Sequence, residues 1–327
     1  METNTNNAAA ISIIIPHWEN IDGLELLLES IRQEACKHPN LTETIVVDDY
    51  SSPETQQKLR NLQNRFDFRL YFNNSIKSAG TCRNIGIENS TGQWLLFADS
   101  DDYFLPNYIG AIKKYLNSDY DIVYFPPTSV YYNNHNIVSN RHISYILLLE
   151  NYQRNPRDEL ALRYKWNVVW SRLIRKKVVV NNNILFDTVL ASNDVLFSTY
   201  IGFYAKKIIA DYNTIYVVTT REGSLIYNQT VNHWLSRIEV WIRNNRFLSS
   251  HKLDKFKKSY IRLLLPMLVY LGLYEFLKAI LFIITQKENP FLNFTNEIAI
   301  IFLNLKKQKH VFKKLILKIL KRRKYIP

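Results

Sequence analysis

The chain has 327 residues, 47 % of them hydrophobic and 22 % charged; that is apolar matter enough for a large core, and it excludes global disorder. Eight glycines and ten prolines exclude collagen-like and linker-like chains, while two cysteines, Cys36 and Cys82, exclude a disulfide framework or a cysteine-rich metal cluster and point to a reducing compartment. The net charge of +13 sits in the last quarter, where residues 251–327 carry 17 Lys and Arg against 4 Asp and Glu while residues 1–250 balance; a nucleic-acid enzyme with a basic groove gives way to a neutral body with a basic appendage.

The start, METNTNNAAAISIIIPHWEN, has no basic segment before its short apolar run, so a secretory signal is not expected. Residues 11–15, ISIII, are a β-branched run ending at Pro16 and predict a buried strand of a parallel sheet. Leu24, Leu27, Leu28 and Ile31 recur at helical spacing over 22–36. Thr44–Val47 predicts a second strand ending in Asp48 and Asp49, and residues 53–65 a helix with Pro53 in its first turn. Leu70–Phe72 predicts a third strand, 79–90 a helix, and Trp94–Ala98 a fourth strand ending in Asp99. Such alternation with short connections is the pattern of an open α/β sheet.

Ligands of such sheets bind beyond the carboxyl ends of the strands. Three polar clusters fall there: Pro16 to Asn20, Asp48 to Ser52, and Asp99 to Asp102. Solvated turns would account for any one of them; three in register predict one shared site. Further on, Asp121–Phe125 and Ile215–Thr219 read as strands, within a less regular stretch punctuated by Trp166–Lys177, Ile184–Phe186 and Ser192–Phe197. After about residue 232 the pattern is helical, and no internal repeat is visible.

Five segments in this order resemble the nucleotide-sugar glycosyltransferases of family 2: SIIIP, IVVDDYSS, AGTCRNIGIENSTGQWLLFADSDDYFLP, NNILFDTVLASNDVLFSTYIG and IYVVTTREGSLIY. The likeness runs from residue 11 to about 230. It implies a GT-A fold, an open mixed α/β sheet flanked by helices, over residues 8–230, with a helical, basic, membrane-associating region over 231–327. It also implies sugar transfer, with inversion, from a nucleotide-diphosphate donor to a hydroxyl of a growing surface glycan.

Chemistry supports each implied role. Breaking a sugar–phosphate bond leaves a diphosphate with added negative charge, which a divalent cation neutralises as a Lewis acid. Mn²⁺ or Mg²⁺ takes hard oxygen ligands, often only one or two of them carboxylates. The resemblance makes Asp101 the direct metal ligand, puts Asp99 on ribose or metal, and sets Ser100 between them on the donor. Asp102 holds the loop or a ligand water, or else caps the following turn. The resemblance gives Asp48 the base-recognition role; a carboxylate there accepts the imide N–H of uracil or thymine, and a UDP-sugar is the expected donor. Asp49 orders the loop with Ser51, and Pro16 packs on the nucleoside. His17 and Trp18 stack near the base, a buried structural Trp18 being the alternative. Arg83 pairs with the diphosphate or a loop carboxylate, and Cys82 is a small buried residue.

Asn193-Asp194 stands where the family carries Glu-Asp, which implies Asp194 as general base and touches specificity through the missing Glu. Asp187 is the alternative base, and a helix-start carboxylate the structural reading of Asp194. Arg221 falls where the family has a cation near the leaving diphosphate, with Glu222 and Ser224 as loop partners, while His233 is better read as structural. The enzymatic rival is a GT-A nucleotidyltransferase, which needs a Gly- and Lys-rich loop not seen near the start. The non-enzymatic rival is a membrane-bound glycan- or sugar-nucleotide-binding scaffold. No nucleic-acid partner is expected.

Residues 263–285 are long enough to raise a transmembrane question, but Pro266, Glu275 and Lys278 interrupt them, and a helical pair packed on the body or lying shallowly in a bilayer is expected. Residues 306–324 hold ten Lys and Arg and no acid, with Phe312, Leu315, Ile316 and Ile319 on one stripe. This is the pattern of an amphipathic anchor to anionic lipid. It places the expected enzyme in the cytoplasm, peripheral on the inner face of the membrane, beside a lipid-linked or other glycan acceptor.

Overall fold

A computed structural model describes residues 9–157, 159–221 and 230–294. It divides into two units, 1–228 and 229–327. In the first, β1 (Ile11–His17), β2 (Thr42–Asp48), β3 (Arg69–Phe72) and β4 (Trp94–Phe97) alternate with α1 (Ile21–Ala35), α2 (Pro53–Leu62) and α3 (Ala79–Asn89). There follow β5 (Tyr103–Phe104), α4 (Tyr108–Lys113), β6 (Ile122–Tyr124), β7 (Pro127–Tyr131), β8 (Asn134–Val138), α5 (Ile143–Arg154) and α6 (Glu159–Lys165). Then come β9 (Arg172–Arg175), α7 (Lys176–Asn181), α8 (Asp194–Tyr204), β10 (Ile208–Ala210) and β11 (Tyr216–Thr220).

Seven strands form the main sheet in the order β10-β6-β9-β4-β1-β2-β3. All run parallel except β9, antiparallel to both β4 and β6. Short β-branched and aromatic runs, buried on both faces, build the centre: Ile11, Ile13, Ile14, Ile15, Val46 and Phe97 are fully enclosed. β1 continues through Pro16 to His17, beyond the expected end. β4 pairs with β1 only as far as Ile14, so the missing N–H of Pro16 costs no rung on that side.

The smaller sheet, β5-β11-β7-β8, is where sequence and structure part. The 215–219 run is the strand expected, and it lies in this second sheet: β11 (Tyr216–Thr220) pairs parallel with β7 and antiparallel with β5. The β7–β8 hairpin left no clear periodicity, since β8 is exposed along its whole length. β11, paired with β5 on one side and with the hairpin on the other, braces β5 and the Asp99–Asp102 loop.

The second unit holds α9 (Val231–Ser250), α10 (Ile261–Leu271) and α11 (Leu273–Thr285). Trp234, Ile238, Ile242, Leu264, Met267, Ala279 and Ile283 form its core. The 263–285 run is two helices, broken at Gly272, whose φ of 93° suits only glycine comfortably. Among the described residues no helix is long and apolar enough to cross a membrane. Glu222, Ser224 and the basic tail lie outside the described residues.

Candidate active site

The carboxyl ends of β1, β2 and β4 lie side by side, with His17 in register with Asp48 and Ala98 N–H donating to Ile14 C=O at 3.1 Å. The loops after β1 and β2 are knitted together. His17 Nδ1 lies 3.0 Å from Asp48 Oδ1, and Ser51 N–H donates to Asp48 Oδ2 at 3.0 Å. Glu19 N–H donates to Ser51 Oγ at 2.9 Å, and Glu19 accepts from Ser52 N–H and, at 2.7 Å, from Thr55. Glu19 and Tyr50 adopt left-handed φ values of 55° and 60°, conformations that non-glycine residues keep only where surroundings enforce them.

This geometry corrects three expectations. It is Asp48, not Asp49, that orders the loop with Ser51; its carboxylate is fully buried beneath His17. Burial alone would raise that carboxyl, but the hydrogen bonds from His17 and Ser51 outweigh it and hold it below the ordinary value. Asp49, also mostly enclosed, accepts from Asn73 at 2.8 Å and from Ser78 N–H at 3.1 Å, tying the loop to the start of α3. His17 is buried and cannot stack on a ligand. Trp18 is 55 % exposed, so it is no core residue, and Lys77 Nζ stands 4.4 Å above its ring. Pro16 is enclosed within β1 and supports the loop from beneath.

The loop after β4 is clamped by the smaller sheet. Asp102 is buried; Tyr216 OH donates to its Oδ2 at 2.9 Å and Thr219 N–H to its Oδ1 at 2.7 Å. Thr219 Oγ1 donates to the Asp101 carbonyl at 2.7 Å, and Asp99 N–H donates to Tyr216 OH at 2.9 Å. Asp102 therefore holds the loop and does not cap a turn. The Ser100 carbonyl lies against Gly23 of α1, where an added Cβ would come within 2.8 Å of it. With Asp102 spoken for, Asp99 and Asp101 keep partly exposed carboxylates, 28 % and 35 %. Burial and the neighbouring Asp99 push the Asp101 carboxyl up, against Arg141 and Arg221. Among the described residues no three His, Cys, Asp or Glu side chains are grouped to cage a metal. Two hard carboxylates on one rim do fit a Mg²⁺ or Mn²⁺ ion that takes its remaining ligands from phosphates and water.

Three arginines stand against these acids, and a fourth, Arg172, lies deeper toward α8. Arg83, buried in α3, donates to Asp99 Oδ1 at 2.6 Å and to Asn193 Oδ1 at 2.8 Å. Its partner is thus the loop carboxylate. Arg221 Nε lies 3.9 Å from Asp101 Oδ2, and its guanidinium rests 3.5 Å from the Tyr132 ring centre. Arg141, not foreseen, donates to the Thr219 carbonyl at 2.9 Å. Burial opposes its charge, but Asp102, Asp99 and Asp101 outweigh burial and hold it protonated. Arg172 on β9 is fully buried and donates to Ser198 on α8 at 2.9 Å.

Asp194 is the first residue of α8, flanked by Asn193 on Arg83. Burial raises its carboxyl and Arg83 opposes this most strongly, followed among the cations by Arg172. The segment before it is gripped by α3: Asn84 Nδ2 donates to Phe186 C=O at 2.9 Å and Phe186 N–H returns to Asn84 Oδ1 at 2.8 Å. Phe186 stacks on Phe197 with ring centres 3.8 Å apart. The site thus joins Asp99, Asp101, Arg83, Arg141, Arg221, Asn193 and Asp194 across α3, β4, the β8–α5 connection, β11 and α8. A cavity of about 530 Å³ opens instead at the amino ends of β2 and β3, by Arg32, Glu43 and Arg69, away from these loops.

Comparison with known proteins agrees with this architecture. EpsH of Bacillus subtilis (strain 168) is 21 % identical over 260 residues, covering 76 % of this chain and 72 % of its own. The GalNAc(5)-diNAcBac-PP-undecaprenol beta-1,3-glucosyltransferase of Campylobacter jejuni is 30 % identical over 116 residues, 35 % of this chain and 37 % of that one. Staphylococcus aureus TarS 1-349 in complex with UDP-GlcNAc superposes with a TM-score of 0.54 at 19 % identity, over 71 % of this chain and 65 % of that one, so the chain spans less than two thirds of it. The mannosyltransferase PcManGT from Pyrobaculum calidifontis, in complex with GDP-Man and Mn²⁺, gives a TM-score of 0.56 at 13 % identity, over 96 % and 87 %. These likenesses establish a GT-A fold. The model of the family described as glycosyl transferase family 2 matches residues 12–179, just over half of the chain, and the chain belongs to that family of nucleotide-sugar glycosyltransferases.

Proposed function

We propose that the protein transfers a sugar from a UDP-sugar to a hydroxyl of a growing surface glycan, with inversion at the anomeric carbon and Asp194 as general base. The observation that carries this is Arg83, whose two-sided bonding to Asp99 and Asn193 ties the loop after β4 to the start of α8. Asp194 takes the acceptor proton as the acceptor oxygen bonds to the anomeric carbon and the carbon–oxygen bond to the diphosphate breaks. Its burial raises the affinity of this carboxylate for a proton. Arg221 and Arg141 stand beside the Asp99–Asp101 loop, positioned to offset charge that develops on the leaving diphosphate. A divalent ion, Mn²⁺ or Mg²⁺, held by Asp101 with Asp99 would add Lewis-acid charge there. The donor base meets the 48–51 loop, with Asp48, Asp49 and Ser51 setting its shape and Pro16 beneath.

Support for a metal and a nucleotide-sugar comes from the structural neighbours, TarS in complex with UDP-GlcNAc and PcManGT in complex with GDP-Man and Mn²⁺. Support for a lipid-linked glycan acceptor comes from the Campylobacter relative, named for an undecaprenol-linked substrate. The basic stripe at 306–324 supports reading the enzyme as peripheral on the inner face of the cytoplasmic membrane. The test is a thermal-shift panel of UDP-, GDP-, CMP- and dTDP-sugars with and without Mn²⁺. Stabilisation by UDP-sugars that Mn²⁺ enhances, and that Asp101→Ala removes, is expected. Preference for a GDP-sugar, or a Mn²⁺ response intact in Asp101→Ala, refutes the donor or the metal assignment.

A further inference from the structure

α11 is apolar on both sides. Ala279 and Ile283 are buried in the core of the second unit. On the other side Leu273, Leu277, Leu281 and Ile284 recur along one stripe at 61, 47, 61 and 52 % exposure, with Tyr274 beside them at 69 %. The turn after the helix adds two more exposed rings, Phe291 and Phe294, whose centres are 6.0 Å apart. The only charges on α11 are Glu275 and Lys278, 3.8 Å from each other, and Lys278 Nζ also lies 4.4 Å over the Tyr274 ring. So many exposed apolar side chains along one helix side and the turn after it mark an interaction surface.

The charge of the unit identifies what covers it. Residues 229–327 carry 20 Lys and Arg against 5 Asp and Glu, whereas residues 1–228 carry 22 against 24. An occupant apolar inside and anionic outside fits both facts. With 13 residues, α11 is about 20 Å long and too short to span a hydrocarbon layer of about 30 Å. We propose that the α11 stripe, with Phe291 and Phe294, lies in the headgroup boundary of an anionic bilayer. This deepens the membrane reading given above and rests on it: the basic tail would supply salt-sensitive attraction, and α11 a salt-resistant hold.

The experiment uses the full chain and vesicles of phosphatidylcholine with or without phosphatidylglycerol, sedimented at 0.1 M and 0.5 M salt. The parent is expected to sediment with anionic vesicles and to keep part of that binding at 0.5 M. Leu277→Gln with Leu281→Gln should abolish the part that survives salt, with nucleotide-sugar hydrolysis unchanged. Lys313→Gln, Lys314→Gln and Lys318→Gln together should weaken only binding at 0.1 M. Should the lysine variant lose all binding and the leucine variant none, the α11 inference falls and the tail reading stands; the converse leaves α11 and removes the tail. Should the leucine variant bind vesicles like the parent while changing oligomeric state or melting temperature, the stripe is covered by protein and the inference falls. Leu281→Cys in a Cys36→Ser background, carrying an environment-sensitive fluorophore, guards against misfolding of the double variant: its emission should shift to the blue on anionic vesicles, and no shift overturns the proposal.

Discussion

Gly80 sits where α3 meets the segment that carries Asp194, and replacing it tests how closely that segment must be held. An added Cβ would come 2.0 Å from the Asp187 carbonyl oxygen and 3.1 Å from Asn193 Cβ. An ordinary carbon–oxygen contact is about 3.3 Å, so the backbone at Asp187 must retreat by roughly 1 Å. Asp187 N–H is bonded to the Asn193 carbonyl at 3.3 Å, which hands the displacement to Asn193 and Asp194. A catalytic group misplaced by about 1 Å costs on the order of 10²-fold in rate. Overpacking adds about 2 kcal/mol of destabilisation, and a unit of this size loses about 2–4 °C per kcal/mol. In Gly80→Ala, kcat for nucleoside diphosphate release should therefore fall roughly 100-fold and Tm by roughly 4–8 °C. The donor-induced thermal shift should fall far less than kcat, because the added Cβ meets Asp187 and Asn193 directly and reaches the 48–51 and 99–101 loops only through α3. A variant with wild-type kcat would refute the reasoning, since it would mean that the 187–194 segment bears no group whose position limits the reaction.

Asp194→Asn should keep donor and metal affinity while lowering turnover by about 10²–10⁴-fold; Asp187→Asn is the control, and the reverse result in steady-state kinetics would move the base by seven residues of sequence. Tyr216→Phe leaves the buried Asp102 carboxylate and the Asp99 N–H each short of one partner, so a loss of about 2–4 kcal/mol is expected in urea unfolding, against near-neutrality if water substitutes. Asp211 ties β10 to α4: it is buried and accepts from Tyr115 at 2.6 Å, Lys114 at 2.7 Å and Asn213 N–H at 2.7 Å. Burial would raise its carboxyl, but Lys114 and Tyr115 outweigh burial and hold it low. A lowered carboxylate stabilises the fold above the unfolded aspartate value of about 3.9 and loses that contribution as pH falls below it. Melting temperatures of wild type and Asp211→Asn should thus differ at pH 6 and converge below about pH 3.5; curves that stay parallel would contradict this.

The first hundred residues were legible because the strands are short apolar runs, β-branched in β1 and β2 and aromatic-rich in β3 and β4, and because polar clusters follow β1, β2 and β4. The pairing of β11 with β7 was not, because it joins residues about ninety apart in a parallel register, and local periodicity carries no trace of such a partner. Arg141 stayed hidden for the same reason. Its neighbours in sequence are an exposed strand and a polar turn, and only the fold brings it to the Thr219 carbonyl and the acids after β4.

That Asp48 rather than Asp49 binds Ser51 has a different origin. β2 is buried on both faces from Ile45 to Asp48, so the alternation that normally tells inward from outward side chains is missing. What decides is the partner at the same rung: His17 lies opposite Asp48, and a buried imidazole beside a carboxylate leaves that carboxylate no better use than to bind it. Asp49, one residue past the strand, is then turned toward Asn73 and Ser78. The two acids therefore divide their work, Asp48 joining β1 to β2 and Asp49 joining β2 to α3. Because α3 also carries Gly80, Arg83 and Asn84, whatever presses on the 48–51 loop is transmitted through the same helix that sets Asp99 and Asp194. A donor base seated on that loop and an acceptor seated by α8 would thus be read by one rigid element, which is the physical reason to expect binding at one end to steady geometry at the other.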